Sequence, residues 1–407
     1  MSIYYKKIFY NLNIKIILLS ILFIIYLNPF SINLGGDGLS ANYIFILFPI
    51  FIIFITSKIK IPPVIFNFYI FVYMFIFFLV VFFQITSDVY FLRRSISFLI
   101  FMSIFSYLLI NIDKDMIKAF KIALVLLSVF KASTVVYLYF IYDLHLLGPK
   151  AKGIIGGQRF GFIYLMSFWL IVFYQAKSTI FRILKYIFIF ILLSGLLLTF
   201  ARSSVASLFL SIMFFAFFQI KIKNKISKKK LKKLIITFFT TVIIFYFLII
   251  NYPSVFSFYN LRIIDFLVEG GFYQEFVDSN PKKSLGFRVF IFNEVLNYLS
   301  ENLFTGSGYL GCWILFEDQS CSAHSQYLDV IFRTGFIGFL IYIFILYKIL
   351  KFLYFNHQDL FYGFFGILIY GFFHETFKLS HGGFVLAFLL GMVFTNNSNK
   401  NLLKKNF

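Results

Sequence analysis

Long apolar runs, most of them nearly free of charge, follow one another between positions 15 and 394, and this constrains the fold more than any other feature. Crossing about 30 Å of hydrocarbon takes roughly 20 apolar residues in a helix, and several of these runs approach that length. They are continuous and lack the alternation of ten-residue outer-membrane strands, so helices are expected and not a barrel. Composition closes off the soluble alternative. The chain is 61% hydrophobic with 65 phenylalanines and only 13% charged, about half the charge that a globular surface carries. A net charge of +21 would suggest nucleic acid in a soluble protein. In a membrane protein the placement of charge matters more than its sum, and no nucleic-acid partner is expected.

Spans are predicted over 15–30, 43–56, 64–85, 95–110, 117–142, 160–174, 183–200, 205–220, 234–250, 326–346, 360–377 and 383–394. The first follows Lys6, Lys7 and Lys15 and ends without a small-x-small cleavage site, so it reads as a retained span and not a signal peptide. Twelve spans with the N-terminus inside can be tested by the positive-inside rule. The segments then assigned to the cytoplasm hold 24 of the 37 basic residues, including the run from Lys221 to Lys233. Both termini are therefore expected in the cytoplasm. The chain divides into a bundle of about nine spans over 1–250, an outer loop over 251–323, about three spans over 324–396 and a cytoplasmic tail over 397–407.

Lysine and arginine separate across this topology. Of eight arginines only Arg182 falls inside; Arg93, Arg94, Arg159, Arg202, Arg262, Arg288 and Arg333 fall outside or near the outer face. Guanidinium is a planar, permanently charged fork that binds phosphate oxygens bidentately. The outer face thus reads as built to hold an anion. Arg93 and Arg94 fit interfacial anchors equally well, and Arg262 a solvated loop residue. A loop as long as 251–323 should carry its own structure. In it Phe287, Phe290, Ile291, Val295, Tyr298, Leu299 and Leu303 recur near helical spacing, with Glu294, Asn297 and Glu301 opposite. This reads as an amphipathic helix on the membrane surface with Arg288 in its first turn.

At the end of that loop stands "SAHSQYLDVIFRTGFIG", Ser322 to Gly338. If a helix begins near Ser325, then Ser325, Asp329 and Arg333 share one polar stripe with an i,i+4 ion pair, and such charges face a bundle interior or a water-filled cavity. Gly335 and Gly338 would admit a neighbouring helix closely. His324 is either a reactive group or a cap at a helix end. The pattern of histidine, small polar residue, nine residues and Gly-x-x-Gly resembles the motif of the O-antigen ligase and polymerase superfamily. "LLLTFARSSVASL" around Arg202 resembles its Thr-x-x-Arg-Ser element, "NLFTGSGYLG" its Gly-x-Gly turn and "GGQRFGF" the setting of another arginine, although a proline-containing stretch after Arg159 is missing. The resemblance covers residues 196–340 best.

That resemblance implies an all-α, polytopic, GT-C-like membrane enzyme with about 12 helices and one structured periplasmic loop. It implies residence in the bacterial inner membrane and an active site facing the periplasm. The implied substrate is an undecaprenyl-diphosphate-linked oligosaccharide, with membrane lipids around it and a chain-length regulator as a further partner. His324 would be the catalytic base. Arg202, Arg288 and Arg159 would bind diphosphate, and Ser325, Asp329 and Arg333 would support the site, with no metal or cofactor. A polymerase is favoured over a ligase that transfers to lipid A-core. A flippase of similar span count would show related halves, which this chain lacks.

The other clusters have plainer readings. Asp113 and Asp115 have the spacing of a divalent-metal pair but fall inside beside Lys114 and Lys118, which reads as solvated. His374, Glu375, Lys378 and His381 either line the cavity of His324 or sit at the interface. His145 and His357 read as loop residues. No Cys or His spacing suggests zinc. Cys312 and Cys321 lie in the outer loop, where either a disulfide or two thiols is compatible with the sequence.

Overall fold

The structure, a computed structural model, describes residues 14–27, 112–141, 157–176, 178–198, 202–218, 284–308, 315, 323–377 and 380–405. Among these residues the secondary structure is helical, without strands. The helices are α1 (Ile14–Leu27), α2 (Lys114–Ile141), α3 (Gly157–Phe173), α4 (Thr179–Leu198), α5 (Arg202–Phe218), α6 (Ser284–Glu301), α7 (Gln326–Asn356), α8 (Gln358–Tyr370) and α9 (Ser380–Lys405). Stretches within α2, α4 and α7 are long and apolar enough to cross a membrane: Lys114–Leu138, Thr179–Leu198 and Gln326–Asn356. The predicted spans over 43–56, 64–85, 95–110 and 234–250 lie outside the described residues.

The chain separates into two compact units, Met1–Leu127 with Phe377–Phe407, and Ser128–Thr376. In the first, Phe23 of α1 meets Phe120, Phe384 and Phe388, and Phe120 stacks on Phe388 with centroids 4.0 Å apart. Asp113, half of the Asp-x-Asp pair, accepts a hydrogen bond at 2.7 Å from the Met116 N–H. It is the N-terminal cap of α2, and Asp115 lies in the first turn, where negative charge suits the helix dipole.

The second unit is built on α3, α5 and α8. From Gly161 to Ile171, α3 is buried on every side, as expected of a helix enclosed by others. Lipid tails are as apolar as leucine, so association here rests on close packing and on polar contacts. Small residues supply the first: Gly363 lies against Met166, and Gly366 against Ser211 and Leu165. Trp169 supplies the second. Its indole donates to Ser211 Oγ at 3.0 Å, and its ring lies 5.1 Å from both Phe215 and Tyr362. On the periphery, α4 turns Ile180, Phe181, Ile183, Ile187 and Phe190 outward, which fits lipid and not water. Lys185 of α4 donates to the carbonyls of Val172 and Tyr174 at 2.6 and 2.7 Å, so it satisfies the C-terminal end of α3 with a cation.

In this unit Ile291, Val295 and Leu299 of the apolar stripe of α6 are buried in one cluster with Ala323 and Phe332, the latter on α7. One expectation is corrected. Gly335 does not receive a neighbouring helix. At φ 64° and ψ −172° it breaks α7 into two arms. The helical bond that should join the Phe336 N–H to the Phe332 carbonyl is replaced by two others. Ser307 N–H donates to Phe332 O, and Phe336 N–H donates to Leu303 O, each at 2.7 Å. The turn Gly306-Ser307-Gly308 is thus inserted into the broken ladder, which leaves both freed backbone groups paired.

Candidate functional site

One end of the second unit gathers several helix termini. In the first turn of α3, Gly161 packs directly on Ser204 of α5 and on the ring of Tyr370, the last residue of α8. The Gln326 N–H at the start of α7 donates to Gly371 O at 2.7 Å, and the Tyr327 hydroxyl donates to Leu368 O at 2.7 Å. Between α5 and the turn after α8, Ser203 Oγ and His374 Nε2 share a hydrogen bond of 2.9 Å. The N-termini of α3, α5 and α7 therefore meet around the C-terminus of α8. A helix N-terminus carries about half a positive charge, although at α7 the Gln326 and Leu328 N–H groups are already bonded to Gly371 O and Ser325 Oγ. Two carbonyls of the α8 end, which would oppose that field, are taken up by α7. The net arrangement favours an anion.

His324 stands immediately before α7, half-buried, with φ 52°. It is the non-glycine residue with positive φ among those described, and such strained backbone persists only where its surroundings enforce it. Those surroundings are visible on both sides: Ala323 is buried in the α6 cluster, and Gln326 is bonded to Gly371. Capping does not account for the histidine, because Ser325 is the N-cap and its hydroxyl accepts from the Leu328 N–H at 3.4 Å. Asp329, 4% exposed, takes Arg333 Nε on both carboxylate oxygens at 3.0 Å. The i,i+4 pair expected from spacing is formed, and it places Arg333 against a carboxylate.

Arg159 lies in the first turn of α3, two residues before Gly161; Arg202 is the first residue of α5, beside Ser203. The backbone thus puts both at the gathered end, together with His324. Arg288 belongs to the first half of α6. That helix is fixed at its C-terminal end by the turn inserted at Gly335, and its buried face shares a cluster with Ala323. Sequence spacing gave no indication of Ser203 as a partner, and left His374 between two readings. In the structure His374 touches the first turn of α5, and Tyr370 lies against its ring at a centroid distance of 4.6 Å. His357 ends α7, its N–H donating to Leu353 O. Cys312, Cys321, Arg93, Arg94, Arg262, His145, Lys378 and the basic run over 221–233 lie outside the described residues.

Residues 187–343 match the family described as O-antigen ligase. The matched stretch begins within α4 and contains α5, α6, His324 and the break in α7. No curated protein matches the sequence.

Proposed function

We propose, from the match of residues 187–343 to the O-antigen ligase family, that this chain is the polymerase of the O-antigen ligase and polymerase superfamily of membrane glycosyltransferases. It would transfer a glycan chain from undecaprenyl diphosphate onto a lipid-linked repeat unit, with inversion at the anomeric carbon. The observation that carries this reading is the meeting of three helix N-termini around the C-terminus of α8, two of them bearing Arg159 and Arg202 and the third preceded by the half-buried His324 at positive φ.

Chemically, a lipid diphosphate is a good leaving group once its charge is stabilised, so the largest need is for fixed donors and cations at the phosphate oxygens. Arg202, Arg288 and Arg159 fill that role, aided by the N-terminal dipoles. The acceptor hydroxyl is a weak nucleophile. His324 takes its proton as the new bond forms, the general-base role that histidine fills most often. Ser325 starts the helix behind the base, and Asp329 with Arg333 holds its first turns. The mechanism calls for no metal or cofactor. In this reading the chain has twelve spans with both termini in the cytoplasm of a bacterial inner membrane, and the site opens to the periplasm. A chain-length regulator is its proposed protein partner.

Ligase and flippase readings are separated by deletion and complementation, with gel analysis of the surface polysaccharide. Cells lacking a polymerase retain core bearing one repeat unit. Bare core would identify a ligase, or a flippase if undecorated lipid-linked repeats accumulate inside.

Arg202→Lys and Arg288→Lys are each expected to lose most activity at near-normal expression, since lysine keeps the charge but not the bidentate fork. Glycan ladders close to wild type from both variants would show that neither arginine grips phosphate. Cys312 and Cys321 are expected to be joined, because both fall on the oxidising side and eight residues separate them. Thiol labelling of the unreduced, denatured protein checks this, and two reactive thiols would refute it.

A further inference from the structure

We infer that His374 is a positioning residue for the diphosphate site: through Ser203 it fixes the first turn of α5, and with it Arg202, against the His324 end of α7. The inference rests on the functional reading above and adds to it a residue far from the matched motifs. His374 and Ser203 are 171 positions apart in sequence, yet their side chains meet at 2.9 Å.

The histidine is held from several directions. Its N–H donates to Tyr370 O at 3.1 Å, and its carbonyl accepts from the Thr376 N–H at 3.0 Å. The imidazole lies 4.6 Å from the ring of Tyr370, tilted by 30°, and Tyr370 is itself buried. The ring is thus fixed at its face by Tyr370 and at Nε2 by Ser203. Ser203 is held in turn, since its carbonyl accepts from Ser207 Oγ at 2.7 Å.

The turn that carries His374 is also bonded to α7, through the Gln326 N–H and Gly371 O. It therefore ties the start of α5, where Arg202 stands, to the start of α7, two residues beyond His324. Reaction at a lipid diphosphate requires the cation on the leaving group and the base on the acceptor to keep a fixed relation, and small displacements are costly in rate. The chosen pair suits this role. An imidazole nitrogen can donate or accept and so can a hydroxyl, so the bond forms with either neutral tautomer.

The test uses full-length protein in nanodiscs with an undecaprenyl-diphosphate-linked repeat unit, measuring kcat, KM and thermal midpoint. His374→Ala and Ser203→Ala should each lower kcat about tenfold with KM within about twofold, because the contact acts on leaving-group stabilisation more than on ground-state binding. The double variant should be no worse than either single one, as expected for partners in one contact. His374→Gln, whose amide can also donate or accept at that reach, should recover most of the rate. Wild-type kcat in either alanine variant would overturn the inference. So would multiplicative losses in the double variant, or a rate per folded molecule that is unchanged while only the thermal midpoint falls. A folded wild-type protein that does not turn over this substrate would overturn the functional reading and this inference together; an active wild type with unaffected variants would overturn only the inference.

Discussion

His324→Ala is expected to abolish or nearly abolish glycan elongation while lipid-diphosphate substrate still binds. A general base contributes typically about 10²–10⁴-fold to rate. Substrate should still bind because Arg159, Arg202 and Arg288 are untouched by the substitution. The helix behind the site should also survive, since Ser325 caps it and Asp329 and Arg333 pair within it. The backbone at this position supplies a sharper control. His324 has φ 52°, a conformation that asparagine tolerates better than alanine. His324→Asn should therefore fold as well as wild type and still fail to turn over. Binding and turnover would be measured separately on purified protein in nanodiscs, with and without chelator. Full turnover in either variant would remove the histidine from the mechanism. Turnover lost on adding chelator would indicate a metal and overturn the metal-free scheme.

The start of α7 was legible because every signal there is local. An aspartate and arginine four apart share a face, an effect that acts within two turns of chain; the Ser325 cap is equally local, although the sequence offered His324 for that place. The long apolar runs were legible for the same reason: α4 and α5 fall close to the expected 183–200 and 205–220, and α7 starts at the expected 326 but runs to Asn356 and is broken at Gly335. What covers a face is a different kind of information. Periodicity identified the apolar stripe of α6, but a bilayer and the Phe332 side of α7 are equally apolar, so the sequence could not choose between them. Gly-x-x-Gly carried a similar ambiguity, since glycine serves both for close helix approach and for backbone that other residues cannot adopt. Only the distant carbonyl of Leu303 and N–H of Ser307 decide it. The bond from Ser203 to His374 joins residues 171 apart and leaves no periodic trace at all. The Asp113 cap is a local signal as well: the solvated aspartate three residues before Met116 is also the cap at the start of α2.

Gly335→Ala is expected to be among the most damaging single substitutions in the chain, although it adds one methyl group. Glycine alone readily adopts φ 64° with ψ −172°, and placing another residue there costs about 1–3 kcal/mol. The added Cβ would also collide with the carbonyl of Phe304, a backbone atom that has no rotamer in which to retreat. Relief requires the inserted turn to withdraw, which would leave the Phe332 carbonyl and the Phe336 N–H without their present partners, at a further cost of about 1–3 kcal/mol for the buried Phe332 carbonyl. Restoring the bond between those two groups would straighten α7 and release α6, the helix that carries Arg288. The expected result is an apparent thermal midpoint several degrees or more below wild type, or no recoverable folded protein, with glycan elongation lost in either case. Gly366→Ala is the control. There, inside α8 and without a positive φ, a Cβ would meet Ser211 and Leu165 only at ordinary van der Waals distances of 3.5 and 3.6 Å, which should hold the loss well below that of Gly335→Ala. Both variants would be compared in nanodiscs by thermal unfolding and by protease cleavage between α6 and α7. Equal midpoints for Gly335→Ala and wild type would mean that the inserted turn does not hold the two arms of α7 in place, and the coupling of Arg288 to His324 through that turn would have to be abandoned.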